Sequence, residues 1–181
     1  IRDSVDTLRG IAEDPIAKDL AINQCKLQPI PIVIAAQSTE ACRRAARLNA
    51  GILFDSLQSP EVSKKLSSIY REAGGNGPVI LIRRVWIGSP PTSQIQAQME
   101  HYHSYASDRA KANWIQGDST VFGQNGAEAA ERLSGIVHDS GCDTVNIRVH
   151  VAGLKADQVI EQLGRHKDDL VPVLKSDLKR G

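Results

Sequence analysis

Cysteine is scarce: Cys25, Cys42 and Cys142 are the three in 181 residues, far apart, with no CxxC pair and no zinc-type histidine spacing beside them. A disulfide framework and a structural zinc site are therefore not expected, and a reducing, cytoplasmic compartment fits best. Long apolar runs are missing too. No stretch approaches the roughly 20 apolar residues of a membrane span, and the N-terminus lacks the basic, apolar, small-residue order of a signal peptide. Neither a membrane nor export is indicated. Charge of one sign is absent: 22 basic against 21 acidic residues leave a formal net charge of +1, with no broad pull toward nucleic acid or acidic lipid. There is no P-loop, GxSxG elbow or HExxH, and "GGNG" (74–77) lacks the GxGxxG spacing, so it reads as a helix stop and turn. His101 and His103, two apart, would point away from each other on a helix, which argues against a metal pair. The chain also lacks an initiator methionine. It starts inside an amphipathic helix, with Val5, Leu8 and Ile11 or Ala12 at helical spacing, and so reads as a piece of something longer.

At 181 residues the chain suits one domain that buries roughly 70% of the surface of its unfolded state. "AKDLAINQCKLQP" (17–29) is an irregular connection without a period. "PIVIAA" (31–36) is a first strand, followed by a helix from Thr39 to about Asn49 that Gly51 ends, and then by a buried strand "GILF" (51–54). Ser59 as N-cap, Pro60 in the first turn and Val62, Leu66, Ile69 and Ala73 on one stripe mark a helix stopped by Gly74-Gly75. "PVILIRRVWIG" (78–88) is a strand ended by Gly88 and Pro90-Pro91. Thr92 to about Ala112 is helical but polar, and "NWIQGDSTVFGQNG" (113–126) is irregular. Ala129, Leu133, Ile136 and Val137 mark a helix stopped at Gly141. "CDTVNIRVHVAG" (142–153) alternates as a strand, and Ala156, Val159, Ile160, Leu163, Leu170 and Leu174 mark a closing helix that Pro172 should bend. Four strand-helix units with an elaborated third connection predict an α/β fold of parallel strands.

Chemistry gathers at the carboxyl ends of such strands. In "AAQSTEACRRAARLNAG" (35–51), Ser38 and Thr39 can cap the helix while the amides of Glu40 and Ala41 and the helix dipole offer a site for phosphate. Ala35 and Ala36 leave room for a ligand near the backbone. The plain alternative is an N-cap before an alanine-rich helix packed on the sheet. In "TVNIRVHVAG", Val145, Ile147, Val149 and Val151 share one face, and Asn146, Arg148 and His150 share the other. In an open antiparallel sheet the polar face is merely solvated. In a closed barrel it points inward and places His150 at the mouth as a proton donor or ligand contact, or as a structural filler. Of Arg83 and Arg84, one points inward; Arg84 shares a face with Trp86, and a phosphate or ring contact and a salt bridge both remain open. Cys42 on the alanine-rich helix reads as a small buried hydrophobe rather than a nucleophile.

Together, "PIPIVIAAQSTEACRRAARLNAGILF", "VILIRRVWIG" and "GCDTVNIRVHVAG" followed by "VIEQLGRHKDDLVPVLKSDL" resemble the bacterial-luciferase-like flavin-dependent oxidoreductases in order and spacing. The resemblance implies the C-terminal half, about strands five to eight, of a TIM (β/α)8 barrel roughly twice this length. It implies a monooxygenase using reduced FMN and oxygen on a small organic substrate. Ser38 and Thr39 would hold the cofactor phosphate, with Ala36 and Gln37 leading into them, and Gln37, Arg84 and His150 would face the ring or the substrate. His150 is the one catalytic candidate. Members that use the deazaflavin coenzyme for hydride transfer supply the alternative cofactor, and a non-catalytic half-barrel that binds flavin or a partner is the alternative function. The implied assembly is a homo-oligomer, or a pairing with a missing N-terminal half that would supply much of the ring platform and substrate pocket.

Overall fold

The computed structural model describes residues 2–9, 19–115 and 119–178. An opening helix, α1 (Arg2–Leu8), buries Val5 with Leu48 and Ala50, while Leu8 stays exposed. Ile11 and Ala12, expected on the same stripe, lie outside the described residues. A second helix, α2 (Leu20–Leu27), occupies part of the connection that looks irregular in sequence. The Asp19 carboxylate accepts from the Ala21 amide at 2.8 Å and starts it. Leu20 and Leu27 stay exposed, so its apolar residues make no continuous stripe and periodicity cannot reveal it.

Strand and helix then alternate. β1 (Val33–Ala35) is shorter than the apolar run that announces it. It leads through Ser38 into α3 (Thr39–Arg47), which ends on Asn49 in the left-handed region, with φ of 49°. Gly51 does not end that helix; it opens β2 (Gly51–Phe54), where a Cβ would lie 2.6 Å from the Pro78 carbonyl oxygen. α4 (Pro60–Glu72) starts as expected, with Ser59 Oγ accepting from the Val62 amide at 3.3 Å and Pro60 in the first turn. Tyr70 near its end is fully buried. Its hydroxyl donates to the Ala50 carbonyl and accepts from the Gly77 amide, both at 2.8 Å, which ties α4 to the starts of two strands.

After β3 (Val79–Ile87) the polar excursion is not one helix. α5 (Thr92–Tyr105) breaks at Ala106, and α6 (Asp108–Lys111) restarts on a Ser107 cap. β4 (Val121–Gly123) lies in the stretch that reads as irregular, because three residues are too few for alternation to register. α7 (Gly126–Ser140) runs from an Asn125 cap to a left-handed Gly141, the predicted stop, and β5 (Thr144–Arg148) follows. The closing helix is α8 (Ala156–Arg165), a π-helical turn at His166–Leu170, and α9 (Val171–Asp177). Its irregularity falls at the π turn, upstream of the bend expected at Pro172. Pro172 sits in the first turn of α9, where a missing amide is tolerated.

β1, β2 and β3 pair in parallel in that order, Val33 opposite Gly51 and Ile52 opposite Val79. β5 pairs in parallel with β3 from Ile80 to Arg84, and β4 with β3 from Val85 to Ile87. Because side chains alternate, the sheet has two distinct faces. Ala36, Ile52, Phe54, Val79, Leu81, Val85 and Ile87 pack with Cys42, Leu66, Leu133 and Leu174 of the helices into the main core. The opposite face carries Val33, Ala35, Leu53, Ile80, Ile82, Arg84, Trp86, Asn146 and Arg148. Its apolar members Val33, Leu53, Ile80 and Ile82 are only half-buried, and Ala35 and Asn146 are exposed. α5 roofs its carboxyl end, where Arg84 donates to Gln98 Oε1. Among the described residues, no helix is long and apolar enough to cross a membrane.

Candidate functional site

The turn after β1 places Gln37 and Ser38 at the carboxyl end of the sheet, where α/β proteins build their sites. Ser38 is extended, and its Oγ accepts from the Ala41 amide at 3.3 Å. The amides of Thr39 and Glu40 therefore have no acceptor within the helix and stand at its positive end. They border a cleft of about 450 Å³ whose lining includes Gln37, Ser38, Thr39, Lys65, Arg109 and Asn113. A second cleft, of about 280 Å³, shares Gln37, Ser38, Arg109 and Asn113 with it. Glu40, the acid in that lining, is paired with Arg43 at 3.1 Å. Two cations, a hydroxyl and first-turn amides suit an oxyanion such as phosphate.

Gln37 is held in place. Its Nε2 donates to Asp55 Oδ2, while Asp55 Oδ1 accepts from the amides of Leu57 and Gln58 at 2.8 and 2.9 Å. The carboxylate thus joins the ends of β1 and β2. Ala36 differs from its expected part: its side chain is fully buried in the helix-side core, so of the two alanines only Ala35 leaves open space beside the backbone.

The two arginines divide as alternation requires. Arg83 takes the helix side with no exposed surface. Its guanidinium donates to the carbonyls of Ser56, Gln58 and Ile82 at 3.1, 2.6 and 3.0 Å. Burial lowers its pKa to about 10, against the pull of the Asp55 carboxylate. Arg83 is a brace for the 55–58 loop. Arg84 faces the other way with Trp86, 1% exposed beneath α5, and Trp86 Nε1 donates to the Ser89 carbonyl at 2.9 Å. Arg148 borders a cleft of about 240 Å³ with Asp55, Tyr102, Tyr105 and Trp114. His150 is exposed two residues beyond β5. The structure therefore brings Gln37, Ser38 and Thr39 together, whereas Arg84 and His150 line neither cleft at α3. Cys42 has no exposed surface, and burial pushes its thiol up to about 11. It packs as a small hydrophobe.

No family model matches the sequence, and no curated protein matches it. Among solved structures the chain is similar to monooxygenase RslO1 from Streptomyces bottropensis, at 17% identity and a TM-score of 0.53, over 78% of this chain and 47% of that one. It is similar to the EDTA monooxygenase EmoA from Chelativorans sp. BNC1 at 14% identity and a TM-score of 0.50, over 82% of this chain and 47% of that one. The chain thus spans about half the length of each. The fold is that of half a (β/α)8 barrel. At these identities the likeness is one of fold.

Within that half-barrel, several contributors to the clefts are invisible to motif reading. Lys65 lies on the solvated side of α4 and looks like any surface lysine. Arg109 comes from a polar segment without a period, and only folding brings it to Ser38. Asp55 did leave a signal: an acid directly after the buried run "GILF" stands at a strand's carboxyl end.

Proposed function

We propose that this chain is part of a flavin-dependent oxidoreductase, a monooxygenase that uses reduced FMN and oxygen on a small organic substrate. The observation that carries this reading is the cleft at the start of α3, on the carboxyl end of a parallel sheet, lined by Ser38, Lys65 and Arg109. There the Thr39 and Glu40 amides, the Ser38 hydroxyl and the two cations hold the cofactor phosphate. Ala35, exposed on the open face beside Gln37, leaves room for the ring. The chemistry a reduced flavin supplies when bound is the activation of oxygen. The protein's part is to bind, orient and exclude water: Asp55 fixes Gln37, Arg83 braces the 55–58 loop, and α5 holds Arg84 through Gln98. His150, exposed beyond β5, is the candidate for moving a proton. Further strands, from a second copy or another segment, close the open face. The deazaflavin coenzyme would use the same anion cleft and is told apart by the absorbance of the bound cofactor. A non-catalytic half-barrel is favoured by the open apolar face alone.

Paired titrations with FMN and riboflavin, which lacks the phosphate, test the assignment through quenching of flavin fluorescence. FMN should bind about tenfold tighter or better, and Ser38→Ala and Arg109→Ala should each narrow that gap while leaving riboflavin unchanged. Equal affinity for the two flavins in the unmodified chain removes the phosphate assignment.

A further inference from the structure

A cavity of about 370 Å³ lies between α5 and the residues that follow α6. Leu57, Ile95, Met99, Trp114 and Ile115 give it an apolar body, and Lys111 carries the one formal charge among its described lining residues. Lys111 has a partner only at the limit of an ion pair, Asp108 at 4.0 Å, whose side chain is fully exposed, so that contact does little to satisfy the ammonium. Ser119, 5% exposed, also borders the cavity, and its buried Oγ has no hydrogen-bond partner among the described residues. Trp114 forms one wall, held edge-on by the His103 ring at 5.1 Å. The same indole also borders the cleft of Arg148 and Asp55, so the cavity adjoins the carboxyl mouth of the sheet.

An apolar body with a single cation is the chemistry of a site for a small organic acid. We infer that this cavity binds a small organic anion, its apolar part against Leu57, Ile95, Met99 and Trp114 and its acid group on Lys111. As a substrate site this rests on the flavin reading above; as a binding site it does not.

The test uses three matched probes on the 181-residue chain: 4-phenylbutyrate, 4-phenylbutanol and 4-phenylbutylamine. They share the phenyl ring and a short alkyl chain and end in an anionic, a neutral and a cationic group. Binding is followed by tryptophan emission, with Trp114→Phe identifying the reporting ring, and by calorimetry. The acid should saturate the signal and bind about tenfold tighter or better than the alcohol, and the amine should bind more weakly still. Lys111→Met should erase the preference for the acid and leave the alcohol unchanged. Equal binding of acid and alcohol, an unaltered preference in Lys111→Met, or no saturable response from any probe overturns the inference. FMN titration of the same samples separates the two readings: loss of FMN binding with the acid preference intact counts against the flavin assignment alone.

Discussion

His166 is a buried titratable side chain within the π turn. Its Nε2 has no hydrogen-bond partner, and burial pushes its pKa below the ordinary 6.5, opposed by a hydrogen bond to the Val85 backbone. The folded chain therefore holds the ring neutral where the unfolded chain already takes up a proton. With more protons bound on the unfolded side, stability is flat above the unfolded pKa and falls as the pH drops below it. Thermal unfolding should show a midpoint that declines from about pH 7 toward about pH 5.5, and His166→Gln should flatten that decline. Identical slopes in both proteins would place the acid sensitivity in other groups. At this scale the sequence was informative about pairs and mute about environment. Alternation required Arg83 and Arg84 to face opposite ways. Which of them met the helices depended on where β2's loop carbonyls fell, and those are backbone groups that no residue pattern reveals.

Among the elements, α7 shows how one helix can hold two glycines of opposite meaning. A Cβ on Gly126 would meet the Asp169 carbonyl carbon and oxygen at 2.4 Å, whereas a Cβ on Gly135 has nothing within 4 Å. Gly126 thus lets the start of α7 seat against the backbone of the π turn. Gly126→Ala should cost about 1–3 kcal/mol through overpacking, and Gly135→Ala should stabilise by up to about 1 kcal/mol through helix propensity. Urea denaturation of the two variants reads the signs directly; a stabilised Gly126→Ala would show that the π turn yields without cost. The elements legible in sequence were those with a period, a cap or a clear apolar run, namely α1, α3, α4, α7, α8, β1, β2, β3 and β5. α2 buries no stripe, β4 is too short to alternate, and the π turn is a matter of backbone hydrogen bonding. All three escape a reading that depends on side-chain periodicity.

For the whole molecule, the order of strand-helix units was enough to expect parallel strands, and the alternation of "TVNIRVHVAG" two unlike faces; that the polar face turns inward was implied by the family resemblance alone. Alternation distinguishes faces but does not say what lies against them, so the cover of the open face was not legible. Two neighbours on β3 make the question measurable. Leu81 is fully buried against the helices, and Ile82 is half-buried on the opposite side. Leu81→Ala opens a cavity and should cost about 2–5 kcal/mol in any state of assembly. Ile82→Glu places a carboxylate where water partly reaches a single copy, so it should cost that copy less than Leu81→Ala does, about 1 kcal/mol. Inside a covered face the same carboxylate would be unpaired and strongly unfavourable. If a second copy supplies the strands that close the face, the unmodified chain sediments as an assembly and Ile82→Glu sediments as folded single copies with a lower unfolding midpoint. Identical sedimentation of the two as single copies, with bright binding of an anilinonaphthalene dye to the unmodified chain, would mean that the apolar face stands bare in this chain and that a second copy does not cover it.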